Sequence, residues 1–105
     1  RNLSLRIDSN NVAIAYSGDG APNPQTEALF ENCDALIHEC YSDKYINPNH
    51  ASADVLIPMA DKLKVRSLYL LHLGTQEKEA VRKRVGNATG LSKILIPKPG
   101  DSVNL

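Results

Sequence analysis

The chain opens with a pattern of apolar and polar residues that is typical of strands. Residues 3–7 alternate apolar and polar side chains, as expected of a strand with one buried face. Polar residues 8–11 form a turn-like cluster, and the uncharged run 12–16 follows. This pattern predicts a β-hairpin over residues 3–16.

Helical and strand-like segments alternate after the hairpin. Helical spacing of apolar residues predicts helices within 24–33, 51–64 and 75–90, separated by strands within 34–39 and 67–74. Residues 93–97 and 101–105 read as two closing strands around a Lys-Pro-Gly-Asp turn. The predicted order is β-β-α-β-α-β-α-β-β, an α/β layer whose ligand-facing loops lie at the carboxyl ends of the strands.

Two helix boundaries are ambiguous from the pattern. Pro58 interrupts the second helix, which either bends there or begins near Ile57 with the proline in its first turn. Thr75 is the candidate N-cap of the third helix, and Gly86 or Gly90 is its candidate end.

Length and composition limit the number of domains, the partners and the cellular compartment that we expect for the protein. A chain of 105 residues forms one domain at most, and its zero formal net charge gives no electrostatic argument for nucleic acid or an anionic membrane. No apolar run is long enough to span a bilayer, and the two cysteines form neither a C-x-x-C motif nor a disulfide framework. We expect a soluble protein in the reducing cytoplasm. Because the sequence starts at Arg1, we also expect residues 1–105 to be a fragment.

Chemically active side chains cluster where strands are predicted to end. Asp19, Glu39 and His72 each follow or end an apolar strand, and His50 precedes a helix. Because the carboxyl ends of parallel strands meet at one sheet edge, the first three can be neighbours. Asp19 lies between two glycines, so a turn-forming role and a ligand role both stay open.

Two neighbours of Glu39 have plainer interpretations. His38 and Glu39 are adjacent on a strand, so their side chains face opposite ways and only one can enter the site. We favour Glu39 as the functional residue and His38 as the structural one. Cys40 with His50 does not match a known zinc-finger spacing, so a small buried thiol is favoured over a metal ligand.

Four motifs taken together resemble the second half of the metallo-β-lactamase fold hydrolases. They are Y-S-G-D-G, L-I-H-E-C-Y-S, N-H-A-S-A and L-Y-L-L-H-L-G, in that order over residues 3–105. The ribonuclease Z and phosphodiesterase branch is the most similar. The resemblance implies one sheet with its helices from an αββα sandwich, and a chain that represents the C-terminal part of that domain.

The resemblance also implies roles for individual residues. Asp19 corresponds to an aspartate that bridges two metal ions, usually zinc, and His72 corresponds to a histidine that ligates one of them. Glu39 and His50 correspond to the glutamate–histidine pair that handles the proton of the leaving group. The family's H-x-H-x-D-H motif has no counterpart here, so the remaining ligands are expected from an N-terminal half.

Three departures from the family pattern bear on the substrate. Gly20 stands where a threonine usually follows the bridging aspartate, the motifs around Glu39 and His50 are variants, and Pro58 interrupts a helix. The expected activity is hydrolysis by a metal-bound hydroxide, of a phosphodiester in RNA or a small molecule ahead of a lactone or other ester. The isolated chain is expected to be inactive.

Two interpretations from other classes stay open beside the hydrolase. A non-catalytic module would use the fold for assembly, including homodimerisation through an apolar inner sheet face that the N-terminal half would otherwise cover. A flavodoxin-like binding domain ranks last, because Asp19 would repel phosphate in the loop after the second strand unless a metal intervened.

Overall fold

The computed structural model describes residues 3–104 and contains one mixed sheet with three helices. The elements, in chain order, are β1 (Leu5–Ser9), β2 (Val12–Tyr16), α1 (Pro24–Phe30), β3 (Ala35–Glu39), α2 (Ala53–Lys62), β4 (Ser67–Leu71), α3 (Lys78–Gly86) and β5 (Lys93–Leu95). The strands lie in sequential order across the sheet. β1 is antiparallel to β2, and the other neighbouring pairs are parallel. The α/β prediction is therefore confirmed.

The predicted hairpin forms, with a two-residue turn at Asn10 and Asn11. Both asparagines have positive φ, 52° and 65°, which suits the right-handed twist of the flanking strands and which asparagine tolerates better than most residues. Ser9 pairs with Val12, and this register places Ile7 opposite Ile14. The large apolar side chains of the hairpin therefore share one face of the sheet, and its small alanines lie on the other.

One face of the sheet packs against the helices and forms the core. The buried strand residues on this face are Ala13, Ala15, Leu36, His38, Leu68 and Leu70. Phe30 of α1, Leu56 of α2 and Val81 of α3 pack into the same cluster. Continuous burial of apolar surface on this face is the main stabilising contribution to the fold.

The opposite face of the sheet is apolar and only partly covered, since Tyr69 is buried while β1 and the end of β2 are exposed. Its members, read from the strand register, are Leu5, Ile7, Ile14, Tyr16, Ile37, Tyr69, Leu71 and Leu95. Leu5, Ile7 and Tyr16 expose 48%, 62% and 42% of their surface. The sequence-based expectation of an apolar inner sheet face is met by these residues.

Helix α2 contains Pro58 in its interior, so the alternative in which the helix begins near Ile57 is wrong. The helix begins at Ala53 because its first turn is anchored: Ala53 N donates to Ser42 O at 2.9 Å, and Leu56 N donates to Ser52 O at 2.9 Å. Leu56 is fully buried. These contacts hold the first turn despite the proline that follows it.

Two predictions near the end of the chain are wrong, and one is confirmed. Thr75 is not the N-cap of α3, since the cap is Glu77, whereas the helix ends at Gly86, one of its two predicted ends. The predicted strand at 101–105 is wrong for residues 101–104, and Leu105 lies outside the described residues. Asp101 closes a turn instead: its carboxylate accepts from Lys98 N at 2.8 Å, and its own N–H donates to Lys98 O at 3.0 Å. Pro97, Asp101 and Val103 of this segment border a cavity together with Ile37 and Tyr69, so the segment lies beside the sheet.

Each helix found within residues 3–104 is too short and too polar to cross a membrane.

We predict that His38 makes the fold sensitive to acid. Burial lowers the pKa of His38 from 6.5 to about 4, and its Nδ1–H donates to Glu39 O at 2.8 Å. Between pH 6.5 and pH 4, His38 is protonated in the unfolded chain but neutral in the folded chain. The free energy of unfolding therefore falls by roughly 3 kcal/mol as the pH drops through this range. Urea unfolding of the wild type and His38→Leu across this range measures it.

Both proteins share the titration of all other groups, so the difference between their slopes isolates His38. The slope should be shallower in His38→Leu, whatever the absolute stability of that variant. Parallel slopes would mean that His38 is protonated within the fold.

Candidate active site

Three candidate residues lie at the carboxyl edge of β2, β3 and β4, which are adjacent and parallel. Asp19 lies three residues beyond β2, Glu39 is the last residue of β3, and His72 directly follows β4. Ser17 N continues the pairing of β2 with β3 by donating to Ile37 O at 3.0 Å. The topology therefore brings these three residues to one edge, as the strand order predicts.

The loop that carries Asp19 is held by its neighbours. Ser17 Oγ accepts from Glu39 N at 3.0 Å and donates to Gly18 O at 2.7 Å. Gly18 has a φ of +68°, and a Cβ at this position would lie 2.7 Å from Leu3 O, so only glycine fits without displacement. These constraints fix the backbone immediately before Asp19.

The Asp19 side chain itself is exposed and not engaged in the turn. Among the hydrogen bonds between described residues, none involves its carboxylate, and the neighbouring Gly20 N donates to Glu39 instead. A turn-forming aspartate accepts a hydrogen bond from nearby backbone N–H groups. The geometry thus gives the turn-forming interpretation no support and leaves the carboxylate available to a ligand.

Glu39 is a buried carboxylate that joins two loops. Its Oε1 accepts from Gly20 N at 3.2 Å and from Ala51 N at 3.2 Å, and the residue is only 6% exposed. Gly20 follows Asp19 in the sequence, and Ala51 follows His50. One carboxylate oxygen therefore ties the backbone beside a candidate metal ligand to the backbone beside a candidate proton donor.

His50 lies on the surface with its imidazole stacked on Tyr41. The two ring centroids are 4.8 Å apart, with 28° between the ring planes. Within residues 3–104, no hydrogen bond joins the Glu39 carboxylate to the His50 ring. The structure brings the two residues of the predicted proton-handling pair into one region through the backbone of Ala51.

His72 lies at an open groove of about 670 Å³ beyond β4. Its backbone has a positive φ of 63°, a conformation more common for histidine than for most residues other than asparagine and aspartate. The charged side chains of the groove are Lys78, Arg82, Lys98 and Asp101. The groove therefore presents three cationic groups and one carboxylate next to the imidazole.

His38 and Cys40 point into the core and away from this edge. His38 is 1% exposed and packs edge-to-face on Phe30, with ring centroids 5.7 Å apart. Cys40 is fully buried, and burial, assisted by the nearby Glu39 carboxylate, raises the pKa of its thiol to about 12. Both side chains are neutral packing groups, so the expectation that His38 and Glu39 face opposite ways is confirmed.

The side chains at the edge suit part of a divalent metal site. A carboxylate from Asp19 and an imidazole from His72 are donor types that zinc accepts, and both are exposed. β3 lies between their strands, which places β2 and β4 about 10 Å apart. Within residues 3–104, no three metal-ligating side chains converge. A site for two ions therefore needs donors beyond these two.

Sequence reasoning missed two residues that shape the edge, Ser17 and Tyr41. Ser17 carries a faint signal, since it is a small polar residue at the end of an apolar strand. Tyr41 carries none, because its stacking on His50 spans nine positions of an irregular loop. Propensity and periodicity do not report such loop contacts.

Comparison with known proteins begins with sequence. The chain matches no protein-family model. It is similar to ribonuclease Z from Natronomonas pharaonis, with 25% identity over 100 residues that cover 88% of this chain and 32% of the relative. The chain thus spans about a third of the length of this curated relative.

Solved structures give a stronger likeness in fold. The metallo-β-lactamase fold protein YhfI from Bacillus subtilis matches with a TM-score of 0.79 and 20% identity, over 93% of this chain and 42% of that one. A diphosphatase of the PhnP family matches with a TM-score of 0.69 and 18% identity, over 88% and 35%. A long form of ribonuclease Z from yeast matches with a TM-score of 0.53 and 29% identity, over 69% and 11%.

These likenesses agree with the resemblance in the four sequence motifs. In each match the aligned region is less than half of the other protein. The chain has the architecture of part of the metallo-β-lactamase fold.

Proposed function

We propose that this chain is part of a metal-dependent hydrolase that cleaves phosphodiester bonds. The observation that carries the proposal is the placement of Asp19, Glu39 and His72 at the carboxyl edge of three adjacent parallel strands. Two similar proteins, a ribonuclease Z and a diphosphatase, support phosphate chemistry as the reaction class.

The metal site in this proposal is shared between two parts of the domain. Asp19 would bridge two zinc ions, because each of its oxygens can reach one cation, and His72 would ligate one of them. Further donors would come from an N-terminal half whose sheet packs on the open apolar face. Zinc in such sites activates water and polarises the oxygen of the substrate. The isolated chain, with two donors, would bind zinc weakly and lack activity.

In this proposal, Glu39 positions the loops of the site and His50 donates a proton. Glu39 holds the Asp19 loop and the His50 loop in a fixed relation through Gly20 N and Ala51 N. Its Oε1 takes both of these bonds, which leaves Oε2 for an interaction with the His50 ring. His50, exposed beside this edge, donates a proton to the departing oxygen, a role that matters most when that oxygen is a poor leaving group.

The groove beside His72 favours an anionic substrate. Lys78, Arg82 and Lys98 line it against one carboxylate, Asp101, whose Oδ2 already accepts from Lys98 N. Arg82 pairs with Glu79 at 2.9 Å on the exposed surface, where such a pair exchanges readily for another anion. An RNA strand or a small phosphodiester fits this charge better than a neutral lactone or ester.

Two alternatives stand beside the phosphodiesterase. A lactone or ester hydrolase would use the same edge without the cationic groove. A non-catalytic assembly module, including a homodimer, would use the apolar face of Leu5, Ile7 and Tyr16, which is open in the single chain. Two tightly bound ions and turnover in the complete protein would favour the hydrolase, and a complete protein without bound metal or turnover would favour the assembly module.

The two free cysteines suit a reducing cytoplasm.

We predict that Asp19→Asn in the complete protein abolishes tight metal binding and nearly all turnover. The change removes a negative charge from between two cations and alters no hydrogen bond among the described residues, so stability of the metal-free protein should change little. His72→Ala should lose one ion preferentially. Metal analysis after dialysis, with circular dichroism as the folding control, measures both. Retention of two ions and full rate in Asp19→Asn would contradict the bridging role.

We predict that His50→Ala slows cleavage of an alkyl phosphodiester about 10²–10⁴-fold and slows cleavage of a nitrophenyl phosphodiester much less. A nitrophenolate leaves without a proton, so it does not need the histidine. Glu39→Gln should show the same asymmetry, and the double variant should be no worse than the worse single variant. Rates on both substrates at unchanged metal content decide it; equal losses on both would assign His50 to binding or folding.

We predict that Lys78→Gln and Lys98→Gln raise KM for a phosphodiester and leave hydrolysis of a neutral ester unchanged. Each removes one charge from the groove, and the effect should shrink as salt increases. Lys83→Gln is the matched control, since Lys83 is an exposed lysine of α3 that does not line the groove. If the ester is the better substrate and the groove variants behave like Lys83→Gln, the phosphodiester assignment fails.

A further inference from the structure

The Tyr41 ring contacts two neighbouring segments, one at His50 and one at Gly74. The His50 imidazole stacks on it with ring centroids 4.8 Å apart. Tyr41 also lies against Gly74, because a Cβ at position 74 would be 3.0 Å from Tyr41 O and 3.1 Å from both Cε1 and Cζ of the ring. The absence of a side chain at Gly74 thus leaves room for the tyrosine ring.

The backbone of Tyr41 is fixed independently of its ring. Tyr41 N donates to Ala51 O at 3.0 Å, and Gly74 N donates to Tyr41 O at 2.9 Å. Gly74 follows His72 by two residues, and Ala51 follows His50. Tyr41 therefore links the segment after β4 to the loop that carries His50, through main-chain bonds on both sides.

We propose that Tyr41 is a positioning residue for His50, and that Gly74 provides the space the tyrosine ring needs. The inference deepens the proposed function, on which the role of His50 in protonation rests. Stacking suits this task because it restricts rotation of the imidazole while leaving both ring nitrogens free for proton transfer. Among described residues, no hydrogen bond to the His50 ring does this instead.

The first test measures ring position directly. In the complete protein, NMR follows the imidazole proton signals of His50, which are assigned as the signals that disappear in His50→Ala. The stacked tyrosine shields the His50 protons, so Tyr41→Leu should move them downfield, while Tyr41→Phe, which keeps the ring, should not. Unmoved His50 signals in a folded Tyr41→Leu protein would overturn the stacking.

Glycine substitutions test the same contact without removing the aromatic ring. Gly74→Ala should displace Tyr41, through its carbonyl oxygen as well as its ring, and shift the His50 signals. Gly86→Ala is the matched control, because a Cβ there meets nothing within 4 Å. If Tyr41→Leu does not fold, Gly74→Ala decides the question: His50 signals that stay in place as in Gly86→Ala would refute the proposal.

The second test measures the consequence for protonation. Tyr41→Leu should lower kcat on an alkyl phosphodiester about two- to tenfold, the range expected when an aromatic pair is lost, with KM and the rate on a nitrophenyl phosphodiester unchanged. Tyr41→Phe should restore the alkyl rate. Equal losses on both substrates, or none, would overturn positioning. A wild-type protein that cleaves neither substrate would refute the proposed function instead, and the NMR shifts would still decide the stacking.

Discussion

The geometry of the candidate site depends on one buried carboxylate, that of Glu39. A carboxylate that loses water must recover its hydrogen bonds inside the protein, and Oε1 of Glu39 does so with two backbone N–H groups, Gly20 N and Ala51 N. These donors belong to loops that are otherwise separated by 30 residues of sequence. The hydrogen bonds that satisfy the buried Glu39 carboxylate therefore fix the Asp19 loop and the His50 loop relative to each other.

The alternation of β3 separates the roles of neighbouring residues. His38 and Cys40 enter the helix-covered core, where burial keeps both uncharged, and Glu39 between them lies on the other face at the edge. A shift of one residue in the register would exchange these faces and bury a carboxylate among apolar groups. Parallel pairing of Glu39 with Leu71 fixes this register. The same strand thus contributes to the core on one face and places Glu39 at the candidate site at its end.

Patterns with a fixed period were predictable from the sequence, and contacts set by tertiary packing were not. The hairpin, the β-α alternation and the edge shared by Asp19, Glu39 and His72 follow from periods of 2 and 3.6 and from parallel pairing. The start of α2 could not be predicted in this way, because main-chain hydrogen bonds to Ser42 O and Ser52 O hold its first turn despite Pro58. The double hydrogen bond of Glu39 was also invisible, since it joins backbone groups that carry no sequence signal.

In the proposed hydrolase, the partly exposed sheet face and the two candidate metal ligands at its edge are linked physically. Tyr16 and Leu71 lie on the apolar face at the ends of β2 and β4, close in sequence to Asp19 and His72. Any sheet that packs about 10 Å above this face would present its own strand ends beside these two donors. Burial of the apolar face would supply the free energy that brings further ligands to the edge. In the proposed hydrolase, closing the core and assembling the metal site are therefore a single event.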